Sequence, residues 1–348
     1  MSEPELICER RGAAGCVLLN RPKALNALTP GMVAGLAAAL DAWERDPAVE
    51  RVVVRGAGER AFCAGGDIRL IHDLGKAGDH AAQMAFWRDE YRLNARIARY
   101  PKPYVSLIDG IVMGGGVGVS AHGSRRVAGD RYSFAMPEVS IGFFPDVGAS
   151  YFLPRLPGQA GVWLALTGAR IGAGDACSLG LATHFCPSGE HAALAEALCG
   201  RGDTDVLLAR FAAPAPPPKF SHARGVIDAC FARASVAEII AALEAAGGDF
   251  AAETLATLAG KSPTSLVLTL RQMREGARLA LPDVLRMEYR IVWRVCRGRE
   301  FQEGVRAAII DRDNRPSWSP ARLEDVRAAD IEACFAPLGA DELALAAT

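Results

Sequence analysis

Residues 105–146 read VSLIDGIVMGGGVGVSAHGSRRVAGDRYSFAMPEVSIGFFPD. Val105, Leu107 and Ile108 form an apolar run bounded by Pro103 and Gly110, the pattern of a buried strand. Gly114, Gly115 and Gly116 follow, where missing side chains let backbone N–H groups crowd close to a ligand. If a helix opens there, those N–H groups are its unpaired first-turn donors, suited to an anion or a developing oxyanion. Two short strands come next, then a loop carrying Glu138 and Asp146, with Gly142 and Pro145 in the interval. Donors for an oxyanion followed by two acids point to acyl chemistry.

Upstream, Cys16–Leu19 and Val52–Val54 read as buried strands, the second because it is β-branched and continuous. Thr29-Pro30 opens a helix, Thr29 as N-cap and Pro30 in the first turn, with Met32, Val33, Leu36, Leu40 and Trp43 on its buried stripe. A second glycine pair, Gly65-Gly66, follows Phe62-Cys63-Ala64; Cys63 has no evident base partner and reads as a small loop filler. A helix over 79–100 is expected to bury a stripe of Met84, Trp87, Tyr91, Ala95 and Ala98, and places Glu90 at the margin of that stripe, where a solvated acid is the default. Strand, helix, strand, helix, strand at short spacing implies right-handed crossovers and a parallel-rich α/β sheet.

Downstream, 158–167 and 173–180 read as helical and 183–186 as a short strand. The tract Ala212–Pro218 contains three consecutive prolines, which neither continue a helix nor donate to a ladder. It divides the chain into a core, 1–212, a stiff connector, 213–219, and a mostly helical C-terminal region, 220–348. In that region Leu285, Glu288, Tyr289, Val292 and Val295 mark one long amphipathic helix, and an irregular tail begins at 314–320.

With 348 residues, 50% hydrophobic and 23% charged, the chain has the balance of an ordinary globular protein with a sizeable core. A net charge of −1 gives no field for nucleic acid or an anionic membrane. No apolar run approaches the roughly 18–20 residues of a membrane span. Nine scattered cysteines without a CxxC pair suggest reduced thiols, and six histidines without an HxxxH pair suggest no metal site. The start, MSEPELICERRG, has neither an apolar signal core nor the acid-poor character of a transit peptide, so a cytoplasmic location is expected.

Four segments together resemble the enoyl-CoA hydratase/isomerase, or crotonase, superfamily: NRPKALNAL (20–28), AFCAGGDIR (61–69), MGGGVGVSAHG (113–123) and FAMPEVSIGFFPDVGASYFLPRL (134–156). Two later segments, KSPTSLVLTLRQM (261–273) and MEYRIVWRVCRGREFQEGVRAAIIDRDNRPSWSP (287–320), resemble its hydrolase subgroup, so the likeness covers nearly the full length in order. The resemblance implies repeated ββα units, helical C-terminal elements, and an acyl-CoA thioester whose carbonyl oxygen is gripped by two backbone N–H groups. The matching positions are Gly66 and Gly115. Hydratases of the superfamily use two glutamates; the first position is Gly118 here and the second is kept as Glu138. Asp146 supplies another acid, as in the hydrolase subgroup, and Glu90 matches a substrate-contacting glutamate of that subgroup.

The implied reaction is hydrolysis of a short 3-hydroxyacyl-CoA, with 3-hydroxyisobutyryl-CoA as the expected substrate, Glu138 and Asp146 as catalytic residues, and no cofactor beyond the coenzyme A of the substrate. Substrate binding falls to Glu90, Gly115, Glu138 and Asp146, and contacts to the coenzyme A phosphates to Arg21, Lys23 and Arg69. Relatives of this kind often form trimers or hexamers through C-terminal helices, and the residues leave open whether those helices here support a homo-oligomer or fold back over the site of one subunit. Two rival readings stand beside it, an enoyl-CoA isomerase or hydratase and a non-catalytic acyl-CoA-binding protein.

Overall fold

The computed structural model describes residues 3–345. The chain forms two compact units that alternate along the sequence. One takes residues up to Asp67, Arg92–Phe134 and Arg170–Lys219; the other takes Ile68–Tyr91, Ala135–Ala169 and everything described from Phe220 onward.

The first unit holds a sheet of six strands: β1 (Leu6–Arg11), β2 (Ala14–Leu19), β3 (Arg51–Gly56), β5 (Tyr104–Ile108), β7 (Arg125–Ala128) and β9 (His184–Phe185), paired in that order. The β1–β2 pair is antiparallel, and every later pair is parallel, as the crossovers predict. Val53, Val105, Leu107 and Val127 pack with Leu194, Leu198 and Leu208 into one core. The helix Pro30–Arg45 starts where the sequence places it: Thr29 Oγ1 accepts the Met32 N–H at 3.3 Å, and the buried residues are Met32, Val33, Leu36, Leu40 and Trp43. Gly15 is needed beneath that helix, since a Cβ there would lie 2.4 Å from the Trp43 ring.

A smaller sheet pairs β4 (Ala61–Cys63), β6 (Ile111–Met113) and β8 (Ser133–Ala135) in that order. The proline tract has no helix or strand. It lies against the helix Ala173–Leu179: Lys219 N–H donates to Asp175 at 2.6 Å, and a Cβ on Gly174 would meet the Pro216 carbonyl at 2.3 Å.

The second unit is helical. Its principal helices are Ala160–Thr167, Arg224–Phe231, Val236–Ala246, Gly248–Ala259, Pro263–Gly276 and Leu281–Val295. Trp87 stacks on Phe143 with centroids 5.6 Å apart, and Phe301 packs against both rings, 6.2 Å from Trp87 and 5.3 Å from Phe143. Several elements escape the sequence pattern, among them the helices Ile68–Lys76 and Thr204–Ala209. β1 (LICERR) is a half-exposed edge strand rich in charge, the helix His191–Cys199 lies in an alanine-rich stretch, and the helix Ala328–Phe335 interrupts the expected irregular tail.

Candidate active site

The glycine donors belong to the first unit. After β4, Ala64 N–H donates to Leu25 O at 3.0 Å, Leu28 N–H to Gly65 O at 2.8 Å and Asp67 N–H to Leu28 O at 2.9 Å. These bonds hold the peptide at Gly66 from both sides, yet Gly66 N–H itself has no backbone acceptor among the described residues. Gly65 has φ +124°, a conformation that favours glycine.

After β6, Gly114 turns the chain with φ +46° and caps a one-turn helix, Gly115–Gly118. Gly115 N–H is a first-turn donor, which the helix leaves unpaired. The two loops press on each other. A Cβ on Gly116 would lie 2.2 Å from the Cys63 carbonyl oxygen, and one on Gly65 would lie 3.9 Å from Gly115 N. Gly118 is buried in the same turn and offers no acid.

The acids belong to the second unit, where the structure brings Glu90, Glu138 and Asp146 together. They are 2%, 7% and 5% exposed. Glu138 opens a 3₁₀ turn, Glu138–Ile141, which ends at Gly142 with φ +66°; a Cβ there would meet the Glu300 carbonyl at 2.3 Å. The Glu138 Oε2 and Glu90 Oε1 atoms are buried without a hydrogen-bond partner. Asp146 Oδ2 accepts the Tyr91 hydroxyl at 2.8 Å.

Burial is the main cause of each carboxyl's behaviour. It pushes Glu138 well above the ordinary carboxylate range, with the Asp146 charge adding to the rise. Glu90 is raised by the same two causes in the same order. Asp146 is raised by burial to about 7, moderated by the Tyr91 hydroxyl and a backbone hydrogen bond. No basic side chain is ion-paired to this group among the described residues. Burial thus favours the protonated form of all three carboxyls, a setting for acid–base work.

Three residues that the sequence reading did not assign to the site complete the surroundings. Tyr91 packs edge-on against Tyr289 with centroids 6.4 Å apart. Gln272 Nε2 donates to the Pro145 carbonyl at 2.6 Å and to Ser150 Oγ at 3.1 Å. Glu288 is fully buried, and its two oxygens accept the N–H groups of Gly148 at 2.7 Å and Ser150 at 2.9 Å. Burial raises Glu288 to about 8. Its signal in the sequence is an acid on a stripe otherwise made of Leu285, Tyr289 and Val292, where a solvated residue does not belong. Glu90 carries the same kind of signal beside Tyr91, and its burial replaces the solvated default.

The three cations named for phosphate contact differ. Arg21 is engaged by Glu5 and Asp67, both at 3.0 Å, and by the Ala27 carbonyl at 2.7 Å. Arg69, in the second unit, is exposed and donates to the Ile309 carbonyl at 2.9 Å. Lys23 is exposed and has no ion pair among the described residues. Among those residues no group of three or more His, Cys, Asp or Glu could hold a metal ion, and no helix is long and apolar enough to cross a membrane.

Residues 14–335 match the family Enoyl-CoA hydratase/isomerase. The chain is 46% identical to a Xenopus laevis protein named 3-hydroxyisobutyryl-CoA hydrolase, mitochondrial, over 97% of this chain and 90% of that one. It is 44% identical to the Homo sapiens protein of the same name, with the same coverage. Among solved structures it is similar to a carnitinyl-CoA dehydratase from Mycobacterium thermoresistibile, at 45% identity and TM-score 0.95 over 99% of this chain and 100% of that one. An enoyl-CoA hydratase from Rhodobacter sphaeroides 2.4.1 gives 44% identity and TM-score 0.92 over 98% and 100%. The fold is thus the crotonase fold with a helical C-terminal region. One expectation is corrected: the curated relatives' names carry the word mitochondrial, which overturns the cytoplasmic location. That expectation leaned on the character of residues 1–12, read as neither signal nor transit peptide, and on isolated thiols, which indicate a reducing compartment without saying which.

Proposed function

The chain belongs to the enoyl-CoA hydratase/isomerase family, and from that premise we propose that it hydrolyses 3-hydroxyisobutyryl-CoA to 3-hydroxyisobutyrate and free coenzyme A. The observation that carries the reading is Glu138, a buried carboxyl with a bare oxygen and Asp146 close enough to raise it. Attack on a thioester carbonyl builds negative charge on the carbonyl oxygen. By the family likeness, the N–H groups at the positions of Gly66 and Gly115 are the donors for that charge.

Glu138 acts at the carbonyl carbon in its ionised form, after giving up its proton. It either adds directly, expelling coenzyme A and leaving an acyl-glutamate anhydride for water to open, or takes the proton of an attacking water. Asp146 holds the substrate hydroxyl or that water and passes a proton to the leaving sulfur. Glu90 contacts the substrate, Lys23 and Arg69 meet the coenzyme A phosphates, and no other cofactor enters. Assembly as a trimer or hexamer follows from the family likeness and enters no step.

Water addition is the competing chemistry, suggested by the dehydratase and hydratase names of the two similar structures. Gly118 disfavours it, because the two-glutamate mechanism lacks its first acid here. A non-catalytic binding protein would gain nothing from burying several acids that resist ionisation. Purified protein with 3-hydroxyisobutyryl-CoA and a thiol reagent decides among the three. Stoichiometric thiol release, with crotonyl-CoA left unhydrated, is the expected result; hydration of crotonyl-CoA without thiol release sinks the proposal. Hydroxylamine trapping of an acyl group on Glu138 separates the anhydride from the activated water. The 3-hydroxypropionyl thioester, one methyl smaller, is expected to turn over within about 10–200-fold of the preferred substrate.

A further inference from the structure

We infer that Glu288 is a positioning residue for Asp146, holding the segment 145–150 in a backbone conformation that it does not keep unaided. Val147, directly after Asp146, has φ +53°, and Gly148 has φ +84°. Glycine takes such angles freely, whereas a β-branched residue takes them only when its surroundings impose them. The restraint comes from the helices Pro263–Gly276 and Leu281–Val295. Glu288 binds Gly148 N–H and Ser150 N–H with its two oxygens, and Gln272 binds the Pro145 carbonyl. Asp146 is therefore flanked on both sides by backbone groups tied to buried side chains, and its carboxyl is directed to the Tyr91 hydroxyl.

Two carboxyl oxygens that each accept suit this task better than an amide. Each oxygen of Glu288 accepts one N–H, while a glutamine would set its own NH₂ donors against one of them. In Glu288→Gln the orphaned N–H loosens the segment, Val147 relaxes towards negative φ, and the Asp146 carboxyl leaves Tyr91. The inference rests on the hydrolysis reading only in taking Asp146 to act on the substrate.

The test uses three full-length variants. Glu288→Gln is expected to lower kcat about 10²-fold, the scale of an ångström of misplacement, with KM nearly unchanged. Val147→Gly alone should keep kcat within roughly threefold despite a lower Tm. The double variant should recover most of the lost kcat, because glycine holds the positive φ without the second hydrogen bond. A merely structural Glu288 would cost stability without this split and without rescue. Unchanged kcat in Glu288→Gln, or no recovery in the double variant, overturns the inference.

Amide exchange gives a readout independent of turnover. Gly148 and Ser150 should be protected in the wild type and exchange at least about tenfold faster in Glu288→Gln. Equal protection in the two overturns the positioning role. Loss of protection supports it even if the wild type releases no coenzyme A, a result that would remove the hydrolysis reading alone.

Discussion

The glycine loops of the first unit and the acid segment of the second prepare for chemistry by opposite means. At Gly65–Gly66 and Gly114–Gly116 the working groups are backbone N–H, and the structure secures them by having no side chain in the way. At Glu138–Ser150 the working groups are side chains, secured by burial and by hydrogen bonds from residues more than a hundred positions later, such as Gln272 and Glu288. The first design fails when an atom is added. The second fails when a charge or a hydrogen bond is changed.

The largest expected effect is therefore on the acid side. Glu138→Gln keeps the shape and removes the ionisable group, and should lower kcat roughly 10³-fold in the thiol-release assay with little change in Tm. Full activity in that variant would remove Glu138 from the attack. On the glycine side the disabling change is an addition. Gly116→Ala puts a methyl 2.2 Å from the Cys63 carbonyl oxygen, so β4 or the helical turn must give way. It should lose about 1–3 kcal/mol of stability and, in the folded fraction, about 10²-fold in kcat as the donors shift. A stable Gly116→Ala with normal turnover would show that the two loops do not set the donors.

The same contrast explains what could be read from the sequence. Glycine clusters permit close backbone approach, so the turns at Gly65–Gly66 and Gly114–Gly116 were legible along with the parallel sheet and the Thr29 cap, while the choice of Gly66 and Gly115 as donors came from the family likeness. Glu138 and Asp146 were visible as acids near a glycine turn, but their burial was not, because it is created by helices distant in the chain. Glu288 and Tyr91 were each placed on a buried stripe without a role. The acid among apolar neighbours was the available sign, and only the structure supplies its partners, Gly148 and Ser150. Gln272 left no trace, since its contact with the Pro145 carbonyl depends on a crossing of elements that no local pattern encodes.

The acid segment should also declare itself in the pH dependence of stability. Folded Asp146 keeps its proton to about 7, against an ordinary value of 3.8. Across that window the native state binds more protons than the unfolded chain, so this group's contribution is full at low pH and is lost as pH rises. Asp146→Asn removes this titration while its amide oxygen can still accept from Tyr91. Its Tm relative to wild type should therefore climb by several degrees from about pH 4 to about pH 7.5. Parallel Tm curves for the two proteins would mean that Asp146 is not held protonated.

The smallest effect separates two neighbouring cations at the edge of the glycine loops. Arg21 is occupied by Glu5, Asp67 and the Ala27 carbonyl, so its charge is largely spent within the fold. Lys23, two residues on, is exposed and makes no ion pair among the described residues. A phosphate contact by Lys23 would be solvent-screened and worth about 1 kcal/mol or less. Lys23→Ala should then raise KM by roughly two- to fivefold without altering kcat, the mark of binding shared equally by substrate and transition state. Arg21→Ala should instead lower Tm, because it frees Asp67 beside Gly66, and its effect should fall on kcat more than on KM. If the two variants exchange these signatures, Arg21 leaves its ion pairs to meet the phosphates and Lys23 is a solvated bystander.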